Sequence, residues 1–287
     1  MMRLAFLFLI YGRIDHEDIW YDFFSKDTKN RHSIYIHYKY DKPLKYFEQY
    51  KLEKCIETLW GHISIVKAQN ILLQEAIKDE SNTHFIFCSG TCVPFKTFDY
   101  VYNFLLEKNQ NYSYFNMYDD SLCFPRCNNA INFINKKFIK KASQWCILSK
   151  KHVKILLNPF AINQYIKWFN DTVGDEHCYV TYLHYNGFEN ELIKTYNASE
   201  KATTFVNWSN ISYVFPPNSK ISTLQNYEFV SPIEISFLMK SPCLFGRKFL
   251  KKCDLSFLRI SLNNFKKPYS LINNETTLSE RMECTRH

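Results

Sequence analysis

Residues 4–11 form an unbroken apolar run, Leu4-Ala5-Phe6-Leu7-Phe8-Leu9-Ile10-Tyr11, closed by Gly12-Arg13. A run without alternation suits a strand covered on both faces, as in a parallel sheet. Asp15 to Phe24 follows, with Ile19, Trp20, Phe23 and Phe24 at helical spacing, and Ser33-Ile34-Tyr35-Ile36-His37-Tyr38 reads as a second strand. Strand, helix and strand in so short a stretch make a βαβ unit. The loop leaving its first strand lies at the carboxyl edge of the sheet, where α/β proteins bind ligands.

The alternation continues. Lys42 to Leu59 is polar and irregular, then Trp60-Gly61-His62 leads into Ile63 to Ile77. Ile65, Val66, Ala68, Leu72, Leu73, Ala76 and Ile77 there mark an amphipathic helix. Thr83 to Cys88 reads as a strand, Ser89-Gly90-Thr91-Cys92-Val93-Pro94 as a turn, and Phe98 to Leu106 as a helix. Three β-α repeats in the first hundred residues predict an α/β fold with a mostly parallel central sheet flanked by helices. Further on, Tyr112 to Phe115, Ala142 to Leu148 and Thr203 to Trp208 read as strands, and His152 to Leu157 and Ser231 to Met239 as helical. Without internal repeat or linker, the expectation is one compact domain over 1–260. A polar, loosely held tail would cover 261–287.

Composition changes this picture little. The chain of 287 residues is rich in Phe and Tyr and has only 6 glycines. Its abundance of Asn, Lys, Ile, Tyr and Phe points to an A/T-rich genome, such as that of a giant DNA virus or a protist. The net charge of +8 is spread out with no basic run, which leaves nucleic-acid binding resting on charge alone. Ten cysteines include Cys88/Cys92 and Cys123/Cys127, whose spacing is not that of a zinc knuckle. Free buried thiols are the expectation. The six Asn-x-Ser/Thr triplets, Asn170, Asn197 and Asn207 among them, arise readily by chance in such a chain. The first apolar run is far short of the ~20 residues that span a bilayer, and no cleavage site follows it. No membrane anchor is expected, and a cytoplasmic location, in the host cytoplasm or a viral factory, follows as an expectation.

The candidate chemistry centres on Gly174-Asp175-Glu176-His177, two adjacent carboxylates ahead of the apolar Cys178 to Leu183. Such a pair can cap a helix, bind a metal or take a proton. As a cap, Asp175 would accept a backbone N–H two or three residues on, leaving Glu176 free to point elsewhere.

Six stretches together resemble the core-2/I-branching glycosyltransferases, glycosyltransferase family 14, which also holds the xylosyltransferases. Trp60-Gly61 before a helix is similar to the family's Trp-Gly segment, and Cys88 to Pro94 to its Leu-Ser-(Glu)-(Ser)-Cys-Ile-Pro turn. Ala142-Ser143-Gln144-Trp145 resembles Gly-Ser-Gln-Trp, and Gly174-Asp175-Glu176 resembles Pro-Asp-Glu. Val206-Asn207-Trp208-Ser209 resembles Val-Asp-Trp-Ser, and Leu244 to Phe249 resembles Leu-Phe-Ala-Arg-Lys-Phe. The resemblance spans roughly residues 3–250 and its motifs keep the family's order. It implies a GT-A fold and inverting transfer of a sugar from a UDP-sugar to a hydroxyl of a glycan or glycoprotein, without a metal ion or other cofactor. It places the base at Glu176 and the diphosphate contacts at Arg247 and Lys248. N-acetylglucosamine is the first donor sugar to consider, with UDP-xylose as the alternative.

The residues agree with that chemistry. Direct displacement at an anomeric carbon needs a carboxylate to take the acceptor's proton. The departing diphosphate gains charge that cations can offset, and the chain contains no Asp-x-Asp, since Asp119-Asp120 lacks the spacer. Arg247 can grip two phosphate oxygens and Lys248 adds a point charge, although the pair read alone is a solvated basic patch. Gly12, Arg13, Trp60 and Gly61 are candidates for the donor and nucleotide pocket. Ser143, Gln144, Trp145, Asp175 and Trp208 are candidates for the acceptor pocket, where indole faces stack on sugar rings. The chain departs from the animal branching enzymes at His37-Tyr38-Lys39-Tyr40, which lacks their Asp, at Asn207, and at Gln225, where they carry an arginine. Those changes motivate a second hypothesis, a catalytically silent sugar- or nucleotide-binding module on the same fold.

Overall fold

The structure, a computed structural model, describes residues 1–108, 110–118, 127, 129–170, 173–195, 203–206 and 226–264. Its strands are β1 (Arg3–Ile10), β2 (His32–Tyr38), β3 (Asn82–Ser89), β4 (Val93–Pro94), β5 (Ser113–Asn116), β6 (Ile147–Ser149), β7 (Leu192–Thr195), β8 (Thr204–Val206) and β9 (Phe245–Arg247). The helices are α1 (Glu17–Ser25), α2 (Ser64–Ala76), α3 (Phe98–Lys108), α4 (Lys150–Leu156), α5 (Pro159–Trp168), α6 (Cys178–Tyr185), α7 (Pro232–Lys240) and α8 (Ser256–Asn264). Six strands form the central sheet in the order β2-β1-β3-β6-β5-β7. The β1 pairings with β2 and β3 are parallel, as is β5 with β7, while β6 runs against both its neighbours. This is the α/β architecture the β-α alternation predicts.

The unbroken apolar run of β1 is explained by two cores. Leu4, Phe6, Phe8 and Ile10 pack with Trp20, Phe23 and Phe24 of α1 and with Phe98, Val101 and Leu105 of α3. Ala5 and Leu7 point the other way, into a core shared with α2, α4, α5 and α6. Strand β3 divides likewise, Ile86 and Cys88 to one side and Phe85 and Phe87 to the other. Burial on both faces removes any call for polar alternation.

A smaller sheet, β4-β9-β8, lies by the carboxyl edge of the large one. The Trp20 indole N–H reaches from α1 to the Cys92 carbonyl (2.8 Å), just before β4. Asn116, the last residue of β5, fastens β8: its Oδ1 accepts from the Thr203 N–H (2.9 Å) and its Nδ2 donates to the Thr204 carbonyl (2.7 Å). These bonds place β9 against the end of the main sheet.

Two sequence expectations need correction. Of the expected strand Ala142 to Leu148 only Ile147 and Leu148 join the sheet, as part of β6, and Ala142 forms a lone bridge with Met117. The Ser143 N–H goes instead to the Asn116 carbonyl (2.8 Å), and the Trp145 carbonyl to the Thr203 hydroxyl (2.9 Å), so tertiary partners replace the ladder. The stretch expected as a loose tail from residue 261 opens inside a helix, because α8 extends to Asn264. Arg259 and Asn263 hold α8 to Asp22 of α1 at 2.6 and 3.1 Å. Eight cysteines fall among the described residues, all as free thiols. No helix among the described residues is long and apolar enough to cross a membrane.

Gly246 makes β9 sensitive to a single methyl. A Cβ there would lie 2.0 Å from Phe95 Cζ, in a ring buried against Phe249 and Phe205. Gly246→Ala is expected to cost about 1–3 kcal/mol, the range for overpacking. Urea denaturation checks this, and a wild-type midpoint would show that the Phe95 ring yields freely.

Candidate active site

Strands β1, β2, β3 and β5 end, and antiparallel β6 begins, at one edge of the sheet. Tyr11 to Arg13, Tyr38 to Tyr40, Ser89-Gly90, Asn116 to Tyr118 and Lys141 to Trp145 therefore gather there, the ligand-binding edge of α/β sheets. The Gly174–Glu176 turn, a 3-10 turn just before α6, meets the same edge, since the Ala142 N–H bonds the Glu176 carbonyl (2.9 Å).

The turn is tightly built. A Cβ on Gly174 would meet Ile63 Cδ1 at 2.8 Å and the Phe169 carbonyl at 3.3 Å, so the turn presses closely against the start of α2. The His177 ring is fully buried, stacks on Phe169 (5.4 Å) and donates from Nδ1 to the Lys140 carbonyl (2.8 Å). Asp175 is not the expected helix cap: the N-cap of α6 is His177, and no side chain caps it. The acidic pair itself forms the 3-10 turn, with His177 between it and the helix, and Asp175 is turned inward. Asp175 is 9 % exposed, and its Oδ1 is enclosed without a hydrogen-bond partner among the described residues. Burial, and next the charge of Glu176, push its carboxyl up to about 7, against the pull of its own backbone and of Arg247. Glu176 keeps part of its side chain exposed, while its Oε2 is enclosed 3.3 Å from Lys141 Nζ.

Arg247 ends β9 with its guanidinium carbon 4.4 Å from the Trp145 ring centroid, a cation–π stack. Its Nε is enclosed and unpartnered among the described residues. Burial lowers its pKa, while Cys92, Tyr118 and the Asp175 carboxyl favour the charged form. A guanidinium stays charged through such an opposition. Lys248 is half-buried, and its pKa is lowered by burial and then by the neighbouring Arg247 charge. Tyr118 links the two sides of the site: Arg247 feels its hydroxyl, and Lys141 Nζ lies 4.9 Å from its ring centroid. Asp175, Glu176 and Arg247 thus share one edge, with Lys248 following Arg247 in the chain.

The other expected residues fall as follows. The Arg13 side chain is largely exposed, and its Nε donates to Asp15 (2.6 Å). Asp15 also accepts the Lys251 N–H (3.0 Å), and His16 bonds the Leu250 carbonyl (3.0 Å), so the loop after Gly12 is fastened to the chain just past Lys248. Beside Gly12, an open cleft of about 640 Å³ is lined by Tyr38 to Tyr40 and Glu53 to Glu57. Trp60 is 83 % exposed on the loop before α2, and Gly61 follows it in the left-handed region (φ +71°). The Trp60 indole stands open to solvent, and Ile63, just before α2, lies against Gly174. Ser143 is buried and its hydroxyl accepts the Trp145 N–H (3.3 Å), and the Gln144 carbonyl accepts from Gln69 (3.5 Å). Trp145 is buried with Arg247 on its ring, which makes it a platform for the cation rather than an open face for an acceptor sugar. Trp208, Asn207, Gln225 and Asp119-Asp120 lie outside the described residues. Among the described residues no three His, Cys, Asp or Glu side chains gather as metal ligands.

Sequence reasoning missed Asn116, Tyr118 and Lys141. Lys141 directly precedes the Ala142 to Trp145 motif, and Asn116 ends a strand at the ligand-binding edge. Those positions were the available signals.

The Asp175 carboxyl makes stability fall with pH in a defined window. Its folded value of about 7 stands above the ordinary 3.8, so between these the folded chain holds a proton that the unfolded chain has lost. The stabilisation is complete below 3.8 and gone above about 7. Asp175→Asn is expected to melt near the wild type at pH 4 and progressively above it towards pH 8. Parallel melting curves in thermal-shift titrations would contradict this.

The family model of the core-2/I-branching enzyme matches residues 4–234. The rice protein Glycosyltransferase BC10 (Oryza sativa subsp. japonica) is 27 % identical over 311 residues, covering 91 % of this chain and 77 % of that protein. Among solved structures, the galactosyltransferase LgtC, determined with donor and acceptor sugar analogs, aligns with 85 % of this chain and 86 % of its own at 6 % identity and a TM-score of 0.46. With a family match over most of its length, the chain belongs to the core-2/I-branching enzyme family of glycosyltransferases.

Proposed function

We propose that the protein is an inverting transferase of GT-A type. It would move a sugar, N-acetylglucosamine first among the candidates, from a UDP-sugar to a hydroxyl of a glycan or glycoprotein without a metal ion. The observation that supports this reading best is the convergence of the Asp175-Glu176 turn and the Arg247-Lys248 strand on the Trp145–Tyr118 surface. In this reading the acceptor oxygen attacks the anomeric carbon as Glu176 takes its proton, and the bond to the diphosphate breaks with its electron pair leaving on UDP. Arg247 and Lys248 offset the charge that UDP gains. Asp175, next to Arg247, is pushed by burial towards its protonated form and so repels the diphosphate less than a full carboxylate would. The nucleoside would lie in the cleft by Tyr38 to Tyr40. There Lys39 Nζ stands 5.4 Å from the Tyr40 ring and bonds the Thr58 carbonyl (2.8 Å), tying the Trp60 loop to the end of β2.

Glu176→Gln is expected to lower the transfer rate by about 10²–10⁴, the usual worth of a general base, with UDP affinity within about twofold of wild type. Transfer assays and calorimetry read the two quantities, and an undiminished rate would remove Glu176 from the chemistry. Activity with a panel of UDP-sugars is expected to persist in excess EDTA. Strict manganese dependence would contradict the role given to Arg247 and Lys248, and a preference for UDP-xylose would reassign the donor sugar.

A further inference from the structure

The ion pair under the turn assigns a residue outside the family motifs. Lys141 Nζ lies 3.3 Å from Glu176 Oε2, in a contact where the Lys141 side chain is 12 % exposed and the Glu176 side chain 22 %. Neither partner reaches it by chance of a mobile surface chain. The Lys141 carbonyl accepts the Tyr118 N–H (3.0 Å), and the next N–H, that of Ala142, bonds the Glu176 carbonyl (2.9 Å). The ammonium also lies over the Tyr118 ring. One residue's backbone and side chain are therefore bound both to the end of β5 and to the acidic turn. The contact is an ion pair rather than a hydrogen bond, since Glu176 Oε2 is enclosed with no hydrogen-bond partner among the described residues, while part of the Glu176 side chain stays exposed.

We propose that Lys141 is the positioning residue of the base. It holds Glu176 Oε2 so that Oε1 faces the acceptor hydroxyl, and its charge screens the carboxylate from the donor diphosphate on Arg247 and Lys248. The proton passes from the acceptor hydroxyl to Oε1 as the acceptor oxygen bonds the anomeric carbon and UDP leaves with the electron pair. Lys141 itself gains and loses nothing. Two anionic groups, Glu176 and the diphosphate, must share one edge with the buried Asp175, and a third cation on the acidic side answers that crowding. Misplacing a reacting group by about 1 Å can cost about 10²-fold in rate.

This assignment rests on the reading of Glu176 as base, and the test separates the two. The full chain would be assayed as wild type, Lys141→Gln, Lys141→Arg, Glu176→Gln and the double variant Lys141→Gln/Glu176→Gln, with melting curves for each. Lys141→Gln is expected to lower kcat about 10- to 100-fold with KM for the UDP-sugar within twofold. Lys141→Arg is expected to restore most of kcat, and Lys141→Gln to cost nothing further in the Glu176→Gln background. An inactive Glu176→Gln beside a fully active Lys141→Gln overturns the Lys141 assignment alone. A Lys141→Gln defect confined to KM, or one that persists in the double variant, also overturns it. An undiminished Glu176→Gln overturns both readings. Should Lys141→Gln fail to fold, Lys141→Arg and Lys141→Met carry the same comparison.

Discussion

A partly buried guanidinium laid on an indole sets the terms for everything around it. Arg247 sits 4.4 Å from the Trp145 ring centroid with its Nε enclosed. Desolvating a cation is expensive unless something answers its charge. The indole face supplies part of that answer and the nearby Asp175 carboxyl another. For the stack to exist, Trp145 must leave the β6 ladder, and β9 must be held against the end of the main sheet. The structure meets the first condition through Ser143, whose hydroxyl accepts the Trp145 N–H, and through Thr203, which bonds the Trp145 carbonyl. It meets the second through Asn116, whose amide fastens β8 beside β9. A failed strand and a polar residue at a strand end are thus two results of one requirement.

The charges of the site are divided along the same line. On one side stand Asp175 and Glu176, on the other Arg247 and Lys248, with Tyr118 between them. Asp175 Oδ1 and Arg247 Nε are both enclosed and lack partners among the described residues. An unmet buried polar group costs about 1–3 kcal/mol, so the arrangement is not one that stability alone would select. The two apolar cores on either face of the sheet can carry that cost. Unmet donors and acceptors at a sheet edge are what an incoming anion and a hydroxyl would satisfy. Glu176 differs from Asp175 because Lys141 lies beside it, so two neighbouring carboxyls meet different environments within one turn.

Much of the fold was legible because burial on both faces leaves a plain mark. The run Leu4 to Tyr11, the helical spacing of Ile19 to Phe24 and the stripe of α2 each report local pattern, and local pattern decides those elements. The Ala142 to Leu148 stretch misled because its apolar residues answer to tertiary partners that no local rule contains. Asp175 misled for a related reason. An acidic residue before an apolar segment reads as a cap, but the 3-10 turn shifts the helix start to Cys178 and turns the carboxyl into the protein. Glu176, Arg247 and Lys248 were singled out only because short motifs stood in a recognisable order. Lys141 carried no such mark, since its meaning comes from a partner 35 residues away, counting from 141 to 176.

The family match ends at residue 234, yet the cations of the site come after it. Distance along the chain is a poor guide here, because the segment past that boundary is fastened to the earliest part of the fold. Asp15 accepts the Lys251 N–H, His16 bonds the Leu250 carbonyl, and the Thr91 carbonyl accepts the Phe249 N–H at 3.0 Å. Val93 and Pro94 pair with Gly246 and Phe245. Lys96 reaches the Ser241 carbonyl (2.7 Å) at the end of α7, steadying the approach to β9. Residues 245–251 are therefore bound on both sides by the first hundred residues, where the βαβ unit and its ligand-binding edge arise. A chain ending at the family boundary would keep the acidic turn but lose both cations and the strand that presents them. The site is thus an assembly of the two ends of the fold, with Glu176 contributed from between them.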